Sequence, residues 1–307
     1  MSTFTPDAAV ADAARSSLGK VGLWTSLIDV HPAPVARDMA VRLEAMGWPS
    51  LWRPESTGRD AILSAASLLE ATERLTLATG IAQTYARHPI TAAAAQKTVA
   101  EAHPGRFILG LGVSHAPMVE GVRKLDYSRP YSDMVAYLAA MDEATYASIE
   151  PATRAPRILA ALGPRMLKLS AEQADGAHPY FSPPEHTALS RDILGPTPVL
   201  APEQMVILDT DPSSARELAR SQMARYLALP NYVNNLLRMG FTQADVDDVS
   251  DRLVDVIVPW GDVDAAAAAV QNHLDAGADH VCVQLLVADP QQLPFEGWQR
   301  LAEALIE

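Results

Sequence analysis

The first apolar run of the chain, Val21-Gly-Leu-Trp-Thr-Ser-Leu27, leads straight into Ile28-Asp-Val-His-Pro32. An open, doubly wound sheet that binds a dinucleotide needs a glycine-rich turn at this point. Its backbone must come close to a pyrophosphate at the start of the first helix. No such turn follows Leu27, and the 307 residues contain no GxxxxGK[ST] phosphate loop. The run therefore reads as the first strand of a different parallel architecture.

Outward from Leu27 one rhythm repeats. Residues 35–46 place Val35, Met39, Leu43 and Met46 on one helical face, and Gly47 closes the helix. Strands are expected over 50–53, 75–79 and 107–111, with helices over 61–71, 90–102 and 132–144. The second half continues with strands over 157–162, 176–180, 198–208 and 280–287. Its helices are expected over 165–173, 184–193, 213–229, 264–276 and 294–306. Eight strand–helix units close a parallel barrel, so the expected fold is a single α/β domain, an (α/β)8 TIM barrel, over residues 20–307. An irregular helical insertion over 230–258 precedes the last strand. Residues 1–19 read as a frayed or loosely helical N-terminal tail.

Composition narrows the function. Asp plus Glu is 37 against 24 Lys plus Arg, a net charge of −13, which argues against a nucleic-acid partner. No stretch reaches the ~18 consecutive apolar residues of a membrane span, and the N-terminus lacks a basic segment followed by an apolar one. The single cysteine, Cys282, excludes a disulfide framework and a cysteine-rich metal site. With no His-x-His pair after the first strand and no clustered carboxylates at strand ends, no metal site is expected. The expected location is the cytoplasm and the expected partner a small molecule.

In such a barrel, function sits where the strands end. Those ends carry Trp24, then Glu55, Gly80-Ile81, Gly112 with Ser114-His115, Ala160 to Pro164, and His178 with Tyr180. The Gly163-Pro164 step opens a helix at Arg165 and leaves backbone N–H groups uncovered, which suits a phosphate. Each residue also has an ordinary structural reading. Trp24 could cap the barrel, Glu55 could sit at a helix start, and His178 could be a satisfied core histidine.

Several segments together resemble the bacterial luciferase-like flavin oxidoreductases, and more closely the branch that uses the deazaflavin coenzyme F420. They are Ser50-Leu-Trp-Arg-Pro-Glu55, Leu77-Ala-Thr-Gly-Ile81, Gly105-Arg-Phe-Ile-Leu-Gly-Leu-Gly112 with Ser114-His115, Ala160-Ala-Leu-Gly-Pro164, and Ala174-Asp-Gly-Ala177. The resemblance spans Val21 to Val287. It implies a flavin lying across the barrel mouth, with a cis peptide at Gly80-Ile81 behind its ring. It also implies that the cofactor phosphate lies on Ala160, Ala161, Leu162, Gly163, Pro164 and Arg165. Glu55 matches an acidic residue that approaches the ring, and Ser114 and His115 match cavity positions. In sugar-phosphate dehydrogenase relatives an Asp-His pair ends strand two; here Glu55 is followed by Ser56, which argues against that substrate. His115 and His178 are then the acid–base candidates by position, alongside Glu55, with structural hydrogen bonding as the equal alternative for each histidine.

The expected chemistry is hydride transfer between F420 and a small organic substrate. Trp24, Tyr85, His115, Tyr180 and Tyr232 would shape the site. The alternatives are an FMN-dependent luciferase-like monooxygenase and a non-catalytic flavin-binding barrel. Asn231, Tyr232, Asn234 and Asn235 place polar groups in the insertion, which suits a lid, a substrate pocket or a homodimer surface equally. Basic Arg165 and Lys168 in the first turns of a helix make sense where an anion binds.

Overall fold

The computed structural model describes residues 4–306. Residues 1–3 of the expected tail and residue 307 of the expected barrel lie outside them. The strands are β1 Val21–Trp24, β2 Ser50–Arg53, β3 Thr76–Thr79, β4 Ala82–Gln83, β5 Phe107–Gly112, β6 Arg157–Leu159, β7 Gly176–Ala177, β8 Val199–Leu200, β9 Glu203–Val206 and β10 Val281–Leu285. All pair in parallel, in the order β8-β7-β6-β5-β3-β2-β1-β10-β9, with β4 added on β5.

The two ends of that order are one stretch of chain, because only Ala201 and Pro202 separate β8 from β9. Ala201 N–H donates to Ala177 O at 2.9 Å and Glu203 N–H to Pro179 O at 2.9 Å, while Pro202 O accepts from Cys282 N–H at 3.0 Å. The ladder thus comes round on itself. The single strand expected over 198–208 is two short ones, broken where Pro202 has no N–H to give.

The helices are α1 Ala8–Leu18, α2 Ala33–Ala45, α3 Ala61–Leu69, α4 Pro89–Ala102, α5 Pro130–Asp142, α6 Pro164–Gln173, α7 Pro184–Leu194, α8 Pro212–Leu227, α9 Pro230–Arg238, α10 Gln243–Asp247, α11 Asp251–Ile257, α12 Val263–Asp275 and α13 Phe295–Leu305. Strand residues alternate between two cores. Leu23, Leu51, Leu77 and Leu109 pack outward with Met39, Leu43 and Leu68 of the helices. Trp24, Trp52, Ala78, Ile108, Ile158 and Cys282 pack inward.

The tail, expected to be frayed or loosely helical, holds a well-formed helix that is docked on the barrel. Asp7 caps α1 by accepting from Ala9 N–H. Ala11, Ala14 and Leu18 join the inward core. Ser50 and Thr76, the first residues of β2 and β3, donate their hydroxyls to the carbonyls of Leu18 and Ser17, each at 2.9 Å. Arg15 reaches the Asp279 carboxylate at 2.9 Å and Thr197 O at 2.7 Å. These contacts seat α1 across the N-terminal ends of the strands, as the floor of the barrel. Among the described residues, no helix is long and apolar enough to cross a membrane.

Candidate active site

The opposite end of the barrel is built around a bulge after β3. The Gly80–Ile81 peptide bond is cis. Gly80 N–H donates to Arg53 O at 2.7 Å, and Glu55 N–H donates to Ile81 O at 3.2 Å. The Trp24 indole Nε1–H donates to Gly80 O at 3.3 Å. A Cβ on Gly80 would stand 2.9 Å from that indole nitrogen and 3.2 Å from His178 Nε2. On the β5 side, a Cβ on Gly112 would lie 2.6 Å from Ile81 Cδ1, and one on Gly110 would overlap the Thr79 carbonyl. Gly110-Leu-Gly112 is therefore what the bulge requires of its neighbour. Beyond the bulge the chain returns to the sheet as β4.

Glu55 is a clamp on this bulge, which corrects the expectation of a catalytic carboxylate. One oxygen accepts from Gln83 N–H at 2.7 Å, and the other accepts from Ala61 N–H at 3.2 Å and is paired with Arg87. Gln83 Nε2 also donates to Glu55 O at 2.8 Å. The side chain is 4% exposed and both its oxygens are in use as acceptors.

His178 is likewise corrected. It is 2% exposed and stacks on Trp52 at 4.5 Å between centroids. Its Nδ1 lies 2.7 Å from Ala201 O, so that nitrogen carries the proton. Burial pulls its pKa down to about 4. It supports the bulge from inside the barrel, closed off from the mouth.

His115 stands three residues past the end of β5. It is half-buried, with its ring 5.3 Å from Tyr232. Burial lowers its pKa, opposed by a hydrogen bond with Asn231. Ser114 has φ +60°, and its carbonyl accepts from Tyr127 OH at 2.7 Å. Tyr180 donates to Gln284 Oε1 at 2.8 Å, contacts the Tyr226 hydroxyl at 2.7 Å and packs against Trp24 at 5.2 Å. Tyr85 is turned to Asp133 at 2.6 Å.

The turn before α6 holds open donors. Ala160 N–H is used on Leu111 O, at 2.8 Å. Among the described residues, the N–H groups of Ala161, Leu162, Gly163 and Arg165 find no acceptor. Nothing lies within 4 Å of a Cβ built on Gly163. Leu162 O accepts from His186 Nε2 at 2.8 Å, a buried support on α7 that the sequence did not reveal. This cradle fits a phosphate, through backbone donors and a helix start. The cations expected beside it are turned elsewhere. Arg165 stacks 4.1 Å over the Tyr131 ring, and Lys168, 72% exposed, stands 3.8 Å from Glu172.

Comparison with known proteins joins these features. The family model for luciferase-like monooxygenases matches residues 17–280. The chain belongs to the luciferase-like monooxygenase family. A putative coenzyme F420-dependent oxidoreductase of Mycobacterium tuberculosis is 26% identical over 310 residues, covering 80% of this chain and 89% of that protein. Two solved structures share the family fold. An F420-dependent secondary alcohol dehydrogenase, in complex with an F420-acetone adduct, superposes with TM-score 0.73 at 16% identity, over 93% of this chain and 98% of that one. A type II Baeyer–Villiger monooxygenase from Pseudomonas putida, in complex with FMN, gives TM-score 0.68 at 14% identity, over 92% and 96%. Family membership was legible in the spacing of the strand-end motifs. Tyr226, Gln284 and Glu203 were not, because no motif surrounds them.

Proposed function

We propose that this chain is an oxidoreductase that works with the deazaflavin coenzyme F420 on a small organic substrate at the barrel mouth. The observation that carries the reading is the open donor cradle of residues 161–165 on a luciferase-like barrel. The name of the mycobacterial relative supports F420 as the coenzyme. The cradle would hold the phosphate. The bulge at Gly80–Ile81, clamped by Trp24 and Glu55, would back the ring. When bound, the deazaflavin supplies a carbon that gives or takes a hydride.

The chain's own residues supply orientation and the proton. His115 is half-buried beside Asn231 and neutral at pH 7, so its imidazole can take a proton from a substrate hydroxyl. Tyr232 packs against that imidazole, its ring tilted by 47°. Trp24 and Tyr180 wall the other side of the mouth and limit water.

The FMN-bound neighbour favours a second reading, an FMN-dependent monooxygenase. An absorbance titration of the purified chain with each coenzyme separates the two. Uptake of F420 at lower concentration than FMN is expected. Tight FMN uptake with none of F420 would overturn the deazaflavin assignment.

A further inference from the structure

The chain leaves β5 facing the wrong way for a histidine at the mouth. Ile108 joins the inward core, Leu109 and Leu111 join the outward one, and Val113, past the strand's end, packs against the outward core. Extended backbone repeats every two residues, so residue 115 would follow Val113 outward. Instead the His115 ring lies 5.3 Å from Tyr232, which in turn lies 5.4 Å from Phe181 and 5.5 Å from Tyr226. The alternation breaks at one residue. Ser114 has φ +60°, in the left-handed region, which ends the extended course.

A serine does not favour that conformation. Its Cβ crowds the following carbonyl, a cost that glycine avoids. Such a residue persists where its surroundings hold it. Two holds are present. The His115 carbonyl accepts from Met118 N–H and Val119 N–H, each at 3.0 Å, at the start of a π-helical turn over Pro117–Val122. That hold is internal to the turn and travels with it. The other reaches back from beyond the turn: the Tyr127 hydroxyl donates to the Ser114 carbonyl at 2.7 Å, thirteen residues away in the chain. It fixes the direction in which the turn leaves the strand. The Tyr127 ring packs on Tyr85 at 5.7 Å, and burial raises its pKa to about 12, so the hydroxyl keeps the hydrogen it donates. Between the two ends, Arg123 Nε–H donates to Gln83 Oε1 at 3.2 Å and ties the loop to the clamp on the bulge.

We propose that Tyr127 is a positioning residue: its hydroxyl holds Ser114 in the left-handed turn that brings the His115 imidazole round from the outer face of the barrel to the mouth. The serine supplies the turn and the tyrosine keeps it. This rests on the reading that His115 takes the substrate proton at the mouth.

The test reads where the imidazole sits. The full chain is labelled in its histidine and tyrosine rings, and His115 is assigned by the signal that His115→Gln removes. A nuclear Overhauser effect between the His115 and Tyr232 rings is expected, and its absence from the parent overturns the proposal. Tyr127→Phe keeps the ring and its packing on Tyr85 but deletes the hydroxyl, and the effect should fall by about half or more. Ser114→Pro, with φ fixed at about −65°, should abolish it by a separate route. An effect kept in either variant overturns the proposal. Tyr85→Phe is the control, since that hydroxyl bonds Asp133 and not Ser114, and it should keep the effect. An equal loss there overturns the proposal too. F420 affinity, read by absorbance, should agree within about twofold between the parent and Tyr127→Phe, because the cradle of residues 161–165 is untouched. A fall in affinity parallel to the lost effect would make Tyr127 a support of the coenzyme site and overturn its role toward His115. If F420 binds neither form, the coenzyme reading falls, while the ring measurements still decide the placement of His115.

Discussion

Gly163 and Gly110 are both glycines at the mouth, and the structure gives them opposite roles. Gly163 has φ −82°, which any residue adopts, and open space where a side chain would go. Gly163→Val should therefore fold normally and fill the space an anion needs. Its coenzyme affinity should fall about tenfold, ~1.4 kcal/mol, in the same absorbance titration. Gly110→Ala would drive a methyl into the Thr79 carbonyl. A loss of roughly 1–3 kcal/mol is expected on urea denaturation. Replacing Arg165 and Lys168 together by alanine should change coenzyme affinity little, since Arg165 is held over the Tyr131 ring and Lys168 stands beside Glu172. A large loss would show that they swing to meet the ligand. These contrasts mark what single residues disclosed in the sequence. The cradle at Gly163-Pro164 was legible because punctuation before a helix has one geometric meaning. The roles of Glu55 and His178 were not, because a strand-end position does not say whether a side chain points to solvent or is seized by a neighbour such as Arg87 or Ala201.

At the scale of elements, β2 was read with its observed ends, Ser50 and Arg53, because a proline follows and a helix-capping glycine precedes it. The stretch from 198 to 208 was not, since Pro202 breaks a ladder whose continuity comes from partners on both sides. The docking of α1 was missed for a related reason. Its buried face is Ala11, Ala14 and Leu18, so weak in apolar signal that only the barrel floor gives it a purpose. Leu18 is fully buried, and Leu18→Ala should cost about 2–5 kcal/mol by chemical denaturation if α1 is part of the cooperative unit. A loss near zero would mean that α1 frays independently of the barrel.

For the whole molecule, buried titratable groups set opposing limits on stability. Burial holds His178, His273 and His280 down to about 4 each, well below the ordinary histidine value. The unfolded chain binds their protons first, so stability is lost as the pH falls from about 6.5 toward 4. Glu203 works the other way. Raised to about 8, it keeps its proton in the fold while the unfolded chain releases it. Its contribution therefore falls as the pH climbs from about 4.5 to 8. Glu203→Gln should flatten the alkaline side of a stability profile measured by urea midpoint between about pH 6 and pH 9. A variant as sensitive as the parent would place the titration elsewhere. The floor helix has a consequence for synthesis. Arg15 leaves the ribosome early, and Asp279, the carboxylate it holds, is separated from it by 264 residues. β1 pairs with β10 on the same terms. No nascent chain ending before residue 279 can complete its own base, so the Arg15–Asp279 pair stays unmade and the β10-facing edge of β1 waits, unpartnered, through most of translation. Chaperone occupancy on ribosome-bound chains should persist until that last strand emerges, and then fall.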